Sequence, residues 1–122
     1  MDPHSWSSFE QVQEKDTRIG FVLGGGIGCI DFDDVIVDDV LDPQVEAWLK
    51  ECPRTFVEVS PSGTGLHVWG LLPEERGTRR VVNGVSVEAY SYGRYITVTK
   101  QPFQGSVPRL ADLTGFKKML IR

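Results

Sequence analysis

The sequence predicts an α+β domain built from antiparallel β-hairpins, with helices packed on the sheet. Short β-branched and apolar runs recur at hairpin spacing, small hydroxyl residues, glycine and proline separate them, and helical periodicity is confined to three segments. With 122 residues and 40% hydrophobic content, the chain (1–122) has the size of one domain and enough apolar side chains for a modest core without cross-links.

Ser5-Trp6-Ser7-Ser8-Phe9-Glu10 offers hydroxyl caps to a short helix that would align Trp6, Phe9 and Val12. Residues 20–23 read as a strand, Gly24-Gly25-Gly26 as a turn and residues 27–33 as a second strand, together a hairpin. Asp42-Pro43 has N-cap and N1 character, so a helix carrying Val45, Trp48 and Leu49 starts there and ends at Cys52-Pro53. Residues 55–59 alternate as a strand. Pro61-Ser62-Gly63-Thr64-Gly65 combines proline, glycines and hydroxyls as a turn does, and residues 66–72 return as a strand. Residues 73–80 read as a basic, flexible stretch, and residues 85–90 and 95–99 as a further hairpin around Ser91-Tyr92-Gly93-Arg94. Residues 108–121 read as a closing helix, in which Gly115 lowers the propensity.

Cys29 and Cys52 stand far apart, which indicates neither a zinc ribbon nor a disulfide framework and fits a reducing, cytoplasmic setting. No run approaches the roughly 18 apolar residues of a membrane span, and the N-terminus lacks a signal pattern, so neither secretion nor membrane anchoring is expected. The formal charge of −4 argues against binding nucleic acid by bulk charge alone. That average hides an asymmetry: through Leu72 there are four basic against thirteen acidic residues, and beyond it nine basic against four acidic. An acidic half gathers cations and a basic half meets phosphates, so Arg76, Arg79, Arg80, Lys100, Lys117 and Lys118 are expected to flank a template path. Solvated faces of different charge account for the asymmetry equally well.

Three segments carry chemistry. In Ile30-Asp31-Phe32-Asp33 the alternation of a strand sends both aspartates to one face and Ile30 and Phe32 into the core. Two carboxylates about 7 Å apart along a strand suit a pair of hard divalent cations, Mg²⁺ or Mn²⁺. Alone, the pattern reads equally as an acidic strand end running into Asp34, Asp38, Asp39 and Asp42. In Ser60-Pro61-Ser62-Gly63-Thr64-Gly65-Leu66-His67 the turn offers backbone N–H groups and hydroxyls to an anion such as a triphosphate, and His67 aims an imidazole at the same place. It is no Walker loop, since it lacks the Gly-Lys-Ser/Thr ending and leads into a strand. Glu88 lies between Val87 and Ala89, where an ionised carboxylate under a covered face needs a partner such as a metal shared with Asp31 and Asp33. Arg94, between Tyr92 and Tyr95, is placed to grip a phosphate or stack on a base, and reads equally as a surface arginine.

In their order these segments resemble the archaeo-eukaryotic primase superfamily, specifically the primase-polymerase domains of phage and plasmid replication proteins. The resemblance covers about residues 6–100. Asp31-Phe32-Asp33 matches its first motif, Ser60 to His67 its serine-rich second, and Val87-Glu88 its third. Gly93-Arg94-Tyr95 followed by Thr97-Val98-Thr99 matches the phage branch, with Lys100 where the family usually has glycine. The resemblance implies an RRM-like sheet with packed helices as the catalytic core, as the N-terminal part of a larger replication protein. It implies metal-holding Asp31, Asp33 and Glu88, His67 on the phosphates of the incoming nucleotide, and nucleotide contacts from Ser60, Ser62 and Arg94. Catalysis would rest on Asp31, Asp33, His67 and Glu88. The implied partners are a single-stranded DNA template, nucleoside triphosphates and a helicase domain in the same or a partner chain; the setting for a phage protein is the bacterial host cytoplasm.

Two other classes compete with this reading. A non-catalytic nucleic-acid-binding module of a replication initiator would use exposed aromatics to stack bases, yet would have no need of acids that repel DNA. A histidine-dependent nuclease of the rolling-circle type needs paired histidines, and the chain has only His4 and His67.

Overall fold

The computed structural model describes residues 19–121. The helix expected around Trp6 lies outside the described residues. In chain order the elements are β1 (Ile19–Val22), β2 (Ile27–Asp33), β3 (Ile36–Val37), β4 (Val40–Leu41), α1 (Pro43–Glu51), β5 (Val57–Val59), β6 (Leu66–Leu71), β7 (Thr78–Val82), β8 (Val85–Tyr90), β9 (Tyr95–Val98), β10 (Ala111–Asp112) and α2 (Thr114–Leu120). The fold is mixed α/β, with mostly antiparallel sheets and two helices among the described residues.

β2 is the centre of the main sheet, antiparallel to β6 on one side and β8 on the other. β7 extends the sheet beyond β8, while the far side of β6 is shared by antiparallel β5 and parallel β10. β1 and β9 form a separate antiparallel ribbon. Alternation along β2 then separates two cores. Ile30 and Phe32 face Leu66, Val68, Val87 and Ala89 beneath Val45 of α1 and Phe116 and Leu120 of α2. Ile27 and Cys29 face the opposite way and pack with Trp69, Phe56 and Leu110 beneath Ile96 and Val98 of the ribbon. Both helices therefore cover one face, and the ribbon covers only the part of the other face where β2 begins. Asp31 and Asp33 follow on that second face at the end the ribbon leaves open.

Local chemistry explains the elements that match expectation. Asp42 caps α1 by accepting the Gln44 N–H at 2.8 Å, Pro43 fills the first helical position, and Cys52 at the far end has extended backbone ahead of Pro53. The acidic loop after β2 folds as the small β3–β4 hairpin, its turn made by Asp38 and Asp39 at φ of 51° and 63°. Consecutive positive φ values are what a primed two-residue hairpin turn requires.

Four expectations are corrected. β1 does not continue a hairpin with β2. Beyond the single Gly24–Ile27 bridge the chain swings away through three glycines of positive φ, and β1 pairs β9 instead, where Phe21 meets Trp69 edge-on at 5.8 Å. β8 and β9 likewise form no hairpin, because β8 is held between β2 and β7 while β9 rises into the ribbon. Residues 78–80, the end of the stretch expected to be flexible, belong to β7 (Thr78–Val82), closed onto β8 by a turn at Asn83 and Gly84 with φ of 50° and 80°. Within residues 108–121 only Thr114–Leu120 is helical. Arg109 O accepts the Phe56 N–H and Thr55 Oγ1 accepts the Ala111 N–H, which draws the preceding segment into β10.

Candidate active site

A polar row crosses the open face of the sheet. Glu58 in β5, His67 in β6, Asp31 in β2, Glu88 in β8 and Arg79 in β7 are successive register partners across five strands. Side chains directly opposite on neighbouring strands lie on one face with Cβ atoms about 4.5–5.5 Å apart, so register alone sets these groups side by side. Asp33, two residues beyond Asp31, joins the same face. Asp31, Asp33 and Glu88 each offer a carboxylate oxygen within 4.8 Å of the others.

The electrostatics of the three acids are those of a site short of positive charge. Burial pushes the Asp31 carboxyl up to about 6; the nearby His67 and Arg94 oppose the shift, and the charges of Asp33 and Glu88 add to it. Burial, then the hydrogen bond and charge of Glu88, raise Asp33 as well. Burial also pushes Glu88 upward, but hydrogen bonds from Tyr90, Asp33 and Arg79 outweigh it and leave this carboxyl below its ordinary value. The repulsion between Asp33 and Glu88 is one that a cation held by both would relieve. Asp31 Oδ1 is buried without a hydrogen-bond partner among the described residues, with His67 Nε2 at 4.0 Å. An orphaned carboxylate oxygen beside two further carboxylates is a hard, all-oxygen donor set, which fits Mg²⁺ or Mn²⁺.

Around this cluster stand groups that the motifs alone do not assign to it. Tyr90 donates its hydroxyl to Glu88 Oε1 at 2.6 Å, and Arg79 Nη2 and Nε reach the same oxygen at 3.0 and 3.2 Å. Arg94 lies over the Tyr90 ring, 4.4 Å from its centroid, so the arginine is stacked on a tyrosine of the site. Glu58 is fully buried beside His67. Individual residue types do not signal Glu58, Arg79 or Tyr90; the register that brings Glu58 and Arg79 into the row becomes legible only once the strand order is known, whereas Tyr90 reaches Glu88 along β8 itself. For Arg79 a signal does exist in Val82-Asn83-Gly84-Val85, whose Asn-Gly pair marks a hairpin and so a strand on either side.

The serine-rich turn ends beside β2. Ser60 Oγ accepts the Gly65 N–H at 3.0 Å and is 3.0 Å from Ser62 Oγ, which is 3.0 Å from Thr64 Oγ1, which in turn donates to Asp34 at 3.2 Å. The N–H groups of Gly63, Thr64 and Gly65 are engaged within the turn, on Ser60 O, Ser62 Oγ and Ser60 Oγ respectively. Ser62 is exposed, Thr64 half-buried and Ser60 buried, so the hydroxyls of Ser62 and Thr64, rather than that of Ser60 or those three amides, are the turn's outward groups. Lys100 has φ of 61°, the left-handed region that favours glycine, at the position where the resembled family usually has one. The basic residues expected along a template path are divided. Arg79 shares the face of the carboxylates, whereas Arg80, opposite the core residue Val87, lines with Lys117 and Lys118 a cavity of about 330 Å³ on the helical side.

No family model matches the chain. It is 34% identical over 119 aligned residues to a protein described as a DNA primase-polymerase from Nitratiruptor phage NrS-1. The alignment covers 85% of this chain and 16% of that protein, so the chain spans a small part of its relative. The likeness supports a relationship to phage primase-polymerases.

Proposed function

We propose that this chain is the catalytic domain of a DNA-dependent primase-polymerase, part of a larger replication protein, with the RRM-like core of the archaeo-eukaryotic primase superfamily. The observation that carries the reading is the convergence of Asp31, Asp33 and Glu88 within 4.8 Å around a buried Asp31 oxygen that has no partner among the described residues. The 34% likeness to a primase-polymerase supports it, as does a sheet with helices on one face and its acids on the other.

The reaction is attack of a 3′-hydroxyl on the α-phosphate of a nucleoside triphosphate, paired to a single-stranded DNA template. A new phosphodiester bond forms, the bond to the β-phosphate breaks and pyrophosphate leaves. Asp31, Asp33 and Glu88 would hold a pair of Mg²⁺ or Mn²⁺ ions, which when bound stabilise negative charge on the triphosphate and favour the ionised form of the attacking hydroxyl. His67 faces the same space from the neighbouring strand and takes the phosphates, with Ser60, Ser62 and Arg94 as further nucleotide contacts. Arg79 and Tyr90 keep Glu88 ionised and aimed, since both donate to one of its oxygens.

The test is incorporation of labelled nucleotides by the purified full chain on single-stranded DNA, with Mg²⁺ or Mn²⁺, with and without a primer. Asp31→Ala, Asp33→Ala and Glu88→Ala each abolish incorporation while keeping the fold. His67→Ala weakens nucleotide binding more than template binding. Retained activity in a folded Asp31→Ala/Asp33→Ala variant would falsify the reading.

A further inference from the structure

Glu58 is buried to the point of having no exposed surface, yet it is a carboxylate. Its surroundings explain how it is tolerated. Oε1 accepts the backbone N–H groups of Thr99 at 3.0 Å and Lys100 at 3.1 Å, and Oε2 accepts the Trp69 indole N–H at 3.0 Å and lies 3.0 Å from His67 Nδ1. Three of these four neighbours are donors by nature, and the fourth satisfies the carboxylate when it too donates. The hydrogen of the imidazole then sits on Nδ1, toward Glu58. Nε2 points the other way, along the polar row to Asp31 Oδ1. The ring is also braced by Trp69, which it meets edge-on at 87°.

Glu58 is itself anchored by two elements. It is the register partner of His67 across β5 and β6, and the two consecutive N–H groups on its other oxygen come from the end of β9, where Lys100 turns into positive φ. A carboxylate held from both sides cannot follow the imidazole if the ring rotates, so it fixes the ring.

We propose that Glu58 is the positioning residue of the site: it holds His67 with Nδ1–H toward the protein interior, so that Nε2 alone faces the carboxylates and the triphosphate bound there. The inference rests on the reading of His67 as a phosphate contact and deepens it. A phosphate oxygen only accepts, so Nε2 meets it as an N–H donor, in a ring whose Nδ1–H stays on Glu58; without Glu58 the ring is free to turn over, and the nitrogen that makes this contact is no longer fixed in place before the nucleotide arrives. Preorganisation of a ligating histidine by a second carboxylate is the logic of metal-site histidines, where loss of the outer partner costs about 10- to 100-fold in affinity or activity.

The experiment is ¹⁵N NMR of the histidine rings in the full chain, combined with nucleotide kinetics. With only His4 and His67 in the sequence, a His4→Gln variant assigns the signals. In the nucleotide-free protein His67 carries a proton on Nδ1, and adding a nucleoside triphosphate with Mg²⁺ moves the Nε2 signal toward that of an N–H while Nδ1–H persists. Glu58→Gln places at most one acceptor among four donors and raises the nucleotide KM about 10- to 100-fold, with kcat changed less and Mn²⁺ affinity at the parental value. A merely structural Glu58 would lower stability without that split. A parental ring protonated on Nε2 and not on Nδ1, or a folded Glu58→Gln protein with the parental KM, overturns the proposal. If Glu58→Gln fails to fold, the parental spectrum with and without nucleotide decides alone. His67→Ala separates the two levels: a parental KM in that variant removes His67 from the nucleotide and the proposal with it, whereas a raised KM there beside an unchanged KM in Glu58→Gln overturns only the role of Glu58.

Discussion

Asp31 is the residue where stability and chemistry pull in opposite directions. Its carboxyl is raised from an ordinary value of 3.8 to about 6, by burial first, and one oxygen has no partner among the described residues. An acid with a raised folded pKa favours the folded state through its protonated form: that contribution is complete below about 3.8 and is lost as pH rises through about 6. At neutral pH the ionised group therefore costs the metal-free protein about 3 kcal/mol. Asp31→Asn is expected to raise Tm in the absence of metal and to abolish the response to Mn²⁺, a trade of function for stability that thermal unfolding with and without the ion reveals. For the parent, Mn²⁺ should raise Tm more near neutral pH than near pH 5, where protons compete for the same oxygens. Equal rises at both pH values would place the ion elsewhere. Asp31, Asp33, Glu88 and His67 could be named from their motifs, and the sheet sets them on one face. Glu58 and Arg79 could not, because what matters in each is a neighbour one strand away, and Tyr90, two residues along β8 from Glu88, carries no motif of its own.

The elements that were legible owe their form to local chemistry. The cap and proline of α1, the alternation of β2, β6 and β8 and the turn after Ser60 are all written within a few consecutive residues. Strand partnership is not. Gly24-Gly25-Gly26 invites a hairpin, and it is the burial of Phe21 and Ile96 over Trp69 that takes β1 to β9 instead. β7 was obscured for a different reason: Arg79 and Arg80 look like a loop, although an edge strand commonly carries charge where it would otherwise pair with other chains. At Gly70 in β6 two backbones and a core side chain crowd together. A Cβ there would lie 2.4 Å from Leu113 Cγ and 2.5 Å from the backbone oxygen of Ala111, its partner in β10. Gly70→Ala is expected to destabilise the fold by about 1–3 kcal/mol through this overpacking. Urea unfolding measures it, and a variant as stable as the parent would mean that β10 and Leu113 move aside without cost. Gly115 in α2, where a Cβ meets nothing within 4 Å among the described residues, is the control, and Gly115→Ala should stabilise slightly.

At the scale of the whole molecule, the acidic and basic halves of the chain do not sit on opposite sides. Arg79 crosses to the carboxylate face, and Arg80, Lys117 and Lys118 gather around one cavity on the helical side. Neutralising Arg80 and Lys118 to Gln should weaken binding of single-stranded DNA and flatten its salt dependence by about one counterion for each charge removed. Polymerisation should recover at saturating template. An unchanged salt slope would make that cavity a solvated face and send the template over the carboxylate side, past Arg79. The central position of β2 has a further consequence, for the growing chain on the ribosome. β2 carries two of the three acids but finds its neighbours only in β6 and β8, so its contacts are long in sequence and form slowly. Until β8 has emerged, Asp31 and Asp33 lie on a strand with one edge bare and Glu88 absent, and no ion can be gripped by all three. A divalent cation can therefore act only as the seal on a finished sheet, never as its template, and premature release leaves the bare edge of β2 open to other chains.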